Sequence, residues 1–435
     1  MKPKIDYGLY LVTDRTLMNA VNLEQAVGQA VSGGCTLVQL REKEISTKEF
    51  YDMACKIRKV CLKYKIPLII NDRVDIALAV DADGVHLGSE DMPIETARKL
   101  IGKNKILGVS ARTLREAVLA ESEGADYLGV GAMFPTDTKS DATIVAREEL
   151  IKISQVCTVP IVVIGGINER TLPYFDEIAI DGLAVVSSVI SADDIAKAAR
   201  NLRRKFAERK VKDKPITFEG IECAVFDLDG TLFDSNDLWE QIDIEFLSKR
   251  GYEIPADYIT KVSALNFREA AEYTKKLFGL KESARALIAE WREMAQYHYE
   301  HDVKLKPYAK RYLHTLKSKG IRLAVATSLP PALFVPALKN NGVYDLFDCL
   351  CSAENAARGK EHPDFFIDTI RQLKAEPQKC LFFEDVLSAM QAIKAAGAKV
   401  CGVYDYYSRP DLANILSAAD CFIMKFNKAP LLKSK

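Results

Sequence analysis

No apolar run in this chain approaches the ~18 residues needed to cross a bilayer as a helix, and its 60 basic residues are matched by 60 acidic ones. The first absence excludes a helical membrane span. The second excludes a chain-wide positive field for holding nucleic acid, so neither membrane nor nucleic acid is expected as a partner, and anionic ligands need local sites. The 10 cysteines show no short regular spacing. Cys349 and Cys351 lack a second pair to complete a zinc site, whereas Cys35, Cys157, Cys223 and Cys401 lie in or beside apolar runs where a thiol packs as a small hydrophobe. Reduced thiols are expected. The first residues, MKPKIDYGLYLVTD, enter a strand-like run with charges inside it and lack an apolar signal core, so the expected location is cytoplasmic. There is no internal repeat and no low-complexity segment.

What is present is the composition of an ordinary globular protein, 48% hydrophobic and 28% charged over 435 residues. That length exceeds what one core usually holds and predicts two domains. From residue 7 to about 205, short β-branched or apolar runs (YGLYLVTD, TLVQLRE, PLIIND, GVHLG, ILGVSA, YLGVGAMF, IVVIGGI, GLAVVSSVI) alternate with segments of helical period such as LEQAVGQAVSGG. Eight strand-helix units predict an α/β fold, a closed (β/α)8 TIM barrel over residues 1–207. The stretch 208–217 loses apolar periodicity and reads as a linker. Residues 218–435 open with the strand CAVFDLDG and return to strands at IRLAVATS, KCLFFED and KVCGVYD, predicting a Rossmann-like parallel domain with a helical cap inserted at about 236–305.

A barrel of this kind carries its chemistry at the C-terminal ends of its strands. There the sequence places Gln39, Arg41 and Lys43, whose period-two spacing at the end of the second strand points all three to one face, then Asn71 and Asp72, Asp91, Ser110, the segment PTDTK (135–139), Gly165 and Gly166, and Val186 with Ser187 and Ser188. Cations, hydroxyls and glycine amides hold phosphates, and two carboxylates can hold Mg2+. The mouth reads as a Mg2+-dependent site for phosphorylated ligands. His86, inside GVHLG, reads as a packed strand histidine rather than a catalytic base.

In that order and spacing, VQLREK, IIND, GVHLGSED, GVSA, PTDTK, IGGI and VVSSVI resemble the thiamin phosphate synthase family. The resemblance implies condensation of hydroxymethylpyrimidine diphosphate with thiazole phosphate to thiamin monophosphate and pyrophosphate. It implies that Gln39, Arg41, Lys43, Asn71, Ser110 and Lys139 bind the pyrimidine diphosphate. Asp72 and Asp91 would bind Mg2+, and Thr136, Thr138, Gly166, Val186 and Ser187 would hold the thiazole phosphate. Two departures, GAMF before PTDTK and SDA after it, bear on loop detail. A thiazole tautomerase of the same fold is the competing family, against which intact QLREK and Lys139 argue.

In the second half, VFDLDGTLFDS places one Asp at a strand end and another two residues later. Asp227 is the candidate nucleophile toward phosphorus, and Asp229 the candidate acid and base. Lys360 and a Mg2+ held by Asp227, the Asp229 backbone, Glu384 and Asp385 would balance the charge, and Thr327 with Ser328 would donate to phosphoryl oxygens. These pieces resemble the haloacid dehalogenase-like phosphatases. One departure is EDVLSA where relatives often carry EDSxxG. The cap offers Arg268, Lys275, Trp291, Arg292, Tyr297 and His298 as candidate selectors; His298 and His301 read as an exposed helix face rather than a metal pair.

A phosphatase that drained either substrate would oppose the synthase, whereas one acting on thiamin monophosphate would pull it forward. The expected function is therefore a bifunctional enzyme that makes thiamin monophosphate and hydrolyses it to thiamin. A broad phosphatase, a pyrophosphatase, a sugar phosphate mutase-like domain and a non-catalytic ligand-binding half are the alternatives.

Overall fold

The computed structural model describes residues 4–18, 20, 22–135, 143–209, 211, 215–235, 237–255, 258–262, 267–355 and 359–433. The chain divides into two compact units, Met1–Pro215 and Ile216–Lys435. Among the described residues, no helix is long and apolar enough to cross a membrane.

The first unit is a closed barrel of parallel strands β1 (Leu9–Val12), β2 (Leu37–Leu40), β3 (Leu68–Asn71), β4 (Gly84–Leu87), β5 (Ile106–Ala111), β6 (Tyr127–Val130), β7 (Ile161–Val163) and β8 (Gly182–Val185). Closure pairs Leu9 of β1 with Leu183 of β8. Alternation along each strand sends Leu9, Leu11, Val38, Leu40, Leu68 and Ile70 outward into the core beneath the helices. The inward set, including Tyr10, Leu37, Ile69, Ile106, Tyr127 and Val162, fills the barrel. The surrounding helices begin where the sequence supplies caps: Ser46 and Glu49 form a reciprocal capping box, and Asn22, Thr113 and Asp194 each accept a backbone N–H of the first turn.

The second unit has a sheet of order β12-β11-β10-β13-β14-β15, built from β10 (Cys223–Phe226), β11 (Arg322–Thr327), β12 (Cys349–Ser352), β13 (Cys380–Glu384), β14 (Lys399–Val403) and β15 (Cys421–Ile423). A separate pair joins β9 (Thr217–Glu219) to β16 (Leu431–Lys433). Every pairing in the larger sheet is parallel. Between β10 and β11 stand the cap helices Leu238–Ser248, Tyr258–Val262, Phe267–Phe278 and Ala284–His301. Phe246 and Trp291 meet edge to face in the cap core.

One device recurs in both units. Asp83, Asp126 and Asp181 each stand one residue before a barrel strand and accept the N–H of Leu68, Leu107 and Ile161 on the preceding strand, at 2.8, 2.9 and 2.8 Å. Asp348 does the same for Leu323 and Asp420 for Val400, both at 2.8 Å. These carboxylates satisfy donors at the strand N-termini and pin the register, leaving the C-terminal ends free for ligands. Asp126 also pairs with Arg98 at 2.6 Å. Asp126→Ala is expected to destabilise the barrel by about 2 kcal/mol, because it strands the Leu107 N–H and the Arg98 charge; the urea midpoint of the barrel transition measures it.

Candidate active sites in the two halves

Gln39 points into the barrel and is buried; its Nε2 donates to the Tyr10 hydroxyl at 2.7 Å. The Tyr10 and Tyr127 hydroxyls lie 2.8 Å apart. Tyr127 in turn lies 2.8 Å from His86 Nδ1, and His86 Nε2 lies 3.0 Å from Ser110 Oγ. The structure thus joins Gln39 and Ser110, on β2 and β5, by an unbroken hydrogen-bonded chain. Asn71 ends β3 with a buried Nδ2 that has no hydrogen-bond partner among the described residues, a donor that a ligand at the mouth would satisfy.

Because β2 ends at Leu40, the period-two alternation predicted through Arg41 and Lys43 stops short of them. The Arg41 N–H donates to Thr13 Oγ1 at 3.1 Å, its guanidinium stands 3.7 Å from Asp14, and Lys43 pairs with Asp72 at 2.5 Å. Asp72 has a left-handed backbone, φ 63°. Asp91 accepts the Gly88 N–H at 2.6 Å, and burial together with the facing Asp72 carboxylate holds its carboxyl above the usual range. Two carboxylates pressed together beside a lysine suit a hard dication.

Gly165 and Gly166 follow β7 with φ +94° and +66°, and a Cβ on Gly166 would stand 2.6 Å from that of Phe134. Only glycine fits there. Val186 and Ser187 follow β8 and open the short helix Ser187–Ile190. Thr136, Thr138 and Lys139 lie outside the described residues.

In the second unit, the buried Asp227 follows β10 directly, and its backbone N–H donates to the Phe383 carbonyl at 3.0 Å. Lys360 Nζ sits 2.7 Å from both Asp227 and Glu384. Burial alone would lower this ammonium, and the two carboxylates more than offset it, so Lys360 stays charged. Glu384 is raised to about 7 and Asp385 well above the usual range, both by burial first and then by neighbouring carboxylates. Ligand oxygens of Asp227, Glu384 and Asp385 all lie within 4.8 Å of one another. Three buried carboxylates against Lys360, with the Lys306–Asp405 pair beside Asp385 adding no net charge, leave an excess of negative charge that a divalent cation would relieve.

Asp229 does not join that group through its side chain. The Tyr299 hydroxyl, on the last cap helix, lies 2.6 and 2.7 Å from its two oxygens and shares its one hydrogen between them, and Ser235 donates at 2.6 Å. Burial raises the Asp229 carboxyl to about 6 against these two donors, which lower it. Thr327 ends β11 fully buried, its Oγ1 accepting the Leu329 N–H at 3.2 Å, while Ser328 is exposed.

Residues 9–189 match the family described as thiamine monophosphate synthase, and residues 224–403 match the haloacid dehalogenase-like hydrolases. Over 206 residues the chain is 56% identical to the thiamine-phosphate synthase of Clostridium beijerinckii, covering 47% of this chain and 99% of that protein. The chain belongs to the thiamine-phosphate synthase family. Behind the synthase half it carries a haloacid dehalogenase-like hydrolase domain. The synthase of Ruminiclostridium cellulolyticum is 53% identical over 48% of this chain and all of its own length. Among solved structures, thiamine phosphate pyrophosphorylase from Pyrococcus furiosus is 43% identical with a TM-score of 0.44, covering 47% of this chain and 96% of that one. A β-phosphoglucomutase from Clostridium difficile is 21% identical with a TM-score of 0.38, covering 48% and 92%.

Sequence reasoning passed over several residues that touch the sites. Thr231 donates to Asp385 at 2.9 Å, and Ser408 donates to its other oxygen at 3.2 Å. Thr231 belongs to the DLDGT motif and could have been found there; Ser408 lies in a loop after β14 with no local signal. Tyr299 stands one position beyond the cap residues singled out. His298 departs in part from the exposed face expected of it: it is half-buried and bridges Asp302 and Glu245 at 2.7 and 3.2 Å, whereas His301 is exposed and stacks on Tyr297. The departure at EDVLSA leaves both carboxylates in place, with Val386 exposed.

Burial holds the His86 imidazole down at about 4, from a usual 6.5. The unfolded chain takes a proton below pH 6.5 that the folded barrel refuses until about 4, so folded-state stability is complete above pH 6.5 and falls as pH drops through this window. The loss is about 3 kcal/mol. Urea midpoints of the barrel measured between pH 7 and 4.5 should show this component in the wild type and lack it in His86→Gln.

Proposed function

We propose that the chain is a bifunctional enzyme that makes thiamin monophosphate in the barrel and hydrolyses it to thiamin in the second domain. The observation that carries this reading is an intact Asp227–Lys360–Glu384–Asp385 cluster in the same chain as a synthase, since the synthase's organic product is itself a phosphomonoester.

In the barrel, Gln39, Asn71 and Ser110 would hold the pyrimidine diphosphate, while Arg41, Lys43 and Lys139 would face the charge that grows on the diphosphate as its bond to the pyrimidine methylene breaks. The thiazole nitrogen supplies the electron pair, so no protein nucleophile is needed. Thr136, Thr138, Gly166, Val186 and Ser187 would hold the thiazole phosphate. Mg2+ held by Asp72 and Asp91 would add electrostatic neutralisation of the leaving group.

In the second domain, Asp227 would attack phosphorus and form an aspartyl phosphate, with Lys360 beside the attacking carboxylate. Asp229 would give its proton to the departing ester oxygen and then take one from the water that opens the aspartyl phosphate. Tyr299 and Ser235 aim that carboxyl. Thr327 and Ser328 would donate to the phosphoryl oxygens. Mg2+ held by Asp227, Glu384, Asp385 and the Asp229 backbone would neutralise charge at the transferring group.

Charge supports the choice of substrate. Glu240 of the first cap helix accepts from the Tyr407 hydroxyl at 2.9 Å, next to Ser408, which reaches Asp385. A carboxylate reaching the substrate from the cap would repel an anionic leaving group and favour the cationic thiazolium of thiamin monophosphate.

The test is incubation of the purified chain with Mg2+ and thiamin monophosphate, beside a panel of sugar and nucleotide monophosphates and pyrophosphate. Selective release of thiamin and phosphate is expected, abolished in Asp227→Asn with synthase activity intact. Tyr299→Phe should lower kcat about tenfold with little change in KM, the size expected for one lost charge-assisted hydrogen bond. Indiscriminate release across the panel, or faster release from pyrophosphate, would overturn the substrate assignment.

A further inference from the structure

We propose that Gln39, Tyr10, Tyr127, His86 and Ser110 form a one-way hydrogen-bond relay that presents Gln39 as an acceptor and Ser110 as a donor at two ends of the pyrimidine diphosphate site. The proposal rests on the reading of Gln39 and Ser110 as residues of that site. Tyr10, Tyr127 and His86 are then positioning residues.

The direction follows from counting protons. Each hydroxyl has one, and a neutral imidazole has one N–H. With Gln39 Nε2 donating to Tyr10, the Tyr10 proton goes to Tyr127 and the Tyr127 proton goes to His86 Nδ1. The imidazole proton is left on Nε2, where it is given to Ser110 Oγ. Ser110 then has its own hydrogen free to point out of the chain, and the Gln39 Oε1 is free at the other end. Reversal would need the Gln39 amide turned over, the imidazole proton on Nδ1 and the Ser110 hydrogen turned inward. The amide orientation decides between the two: with Nε2 on the Tyr10 hydroxyl, Gln39 is left an acceptor suited to the amino group of the pyrimidine and Ser110 a donor suited to a diphosphate oxygen.

The interior is shaped for this chain. Tyr10 and Tyr127 are 1% and 0% exposed, so bulk solvent does not compete for their hydroxyls, which bond to one another. Ser110, by contrast, is exposed. A Cβ on Gly108 would stand 2.1 Å from Tyr127 Cζ, and one on Gly129 would stand 3.0 Å from His86 Cε1. Two inward strand positions therefore lack side chains where the phenol and the imidazole cross the barrel. Tyr7 packs on the Tyr127 ring at 5.0 Å between centroids. A cationic imidazole would present two donors and collide with the Tyr127 proton; its burial keeps it neutral.

The test uses the full chain labelled with 15N-histidine and two-bond 1H–15N correlation spectra, with His86 picked out from the 5 histidines by its absence in His86→Gln. A single neutral form with protonated Nε2 and bare Nδ1, unchanged between pH 8 and 5.5, is expected. Protonated Nδ1, or a mixture of the two tautomers, would overturn the relay. In the second arm, Tyr127→Phe should raise KM for hydroxymethylpyrimidine diphosphate about tenfold and leave KM for thiazole phosphate within about twofold. An equal rise for both substrates, or none for either, would reduce Tyr127 to a packing role and overturn the proposal. Ser110→Ala and Gln39→Ala separate the two layers of the argument. If neither raises KM for the diphosphate substrate while the Nε2–H tautomer stands, the site assignment has failed, and with it the relay's function, though its direction is correct.

Discussion

A parallel strand delivers its C-terminal end to the same side as its neighbours, and almost every polar group discussed here hangs from such an end. The arrangement holds only if each strand keeps its register against the next, because a slip of one residue would turn Gln39, His86 and Ser110 out of the barrel. In both units the register is pinned at the opposite end by an aspartate that accepts the first free N–H of a neighbouring strand, as Asp126 does for Leu107 and Asp348 for Leu323. The chemistry is thereby kept apart from the groups that fix the backbone, and the loops after the strands are free to vary.

The two sites handle charge in opposite ways. At the barrel mouth Lys43 and Arg41 remain near water, and each already has an acidic neighbour in Asp72 or Asp14. Cations that are partly solvated suit reversible binding of an anionic ligand. The hydrolase cluster is buried and acidic. Lys360 touches two carboxylates, and Asp385 depends on Thr231 and Ser408 for hydrogen bonds. Such a cluster favours a dication before it favours a phosphate.

Legibility in the sequence followed the strands. Asp227, Thr327 and Glu384 could be placed because each ends or directly follows an apolar run, and Lys360 because it stands between two such runs at the expected point of the chain. The eight barrel strands were readable for the same reason. Arg41 and Lys43 were given one face on the assumption that β2 continued, and it stops at Leu40. The strand period carries no information past that point. Tyr299 was invisible for a different reason: which face of a cap helix meets Asp229 depends on how four helices pack over the domain, and a tyrosine on an amphipathic helix reads as core. It is core, at 0% exposure, and it also donates to the carboxyl.

His86 makes the same point inside the barrel. Its neighbours in sequence, GVHLG, mark it as a packed strand histidine, and its ring is indeed buried. Packing and hydrogen bonding are separate questions for a side chain with two nitrogens. A buried imidazole with both nitrogens paired gains nothing in packing over an apolar residue of its size, and it must be kept from taking up a proton. The same holds for two buried phenols joined hydroxyl to hydroxyl. Apolar side chains would fill that interior with fewer conditions attached, as Leu37, Ile69, Ile106 and Val162 do in the same cluster. Five polar groups in series, with glycines at 108 and 129 making room for two of the rings, are more than a packed barrel requires, and both ends of the series lie on strands that open to the mouth.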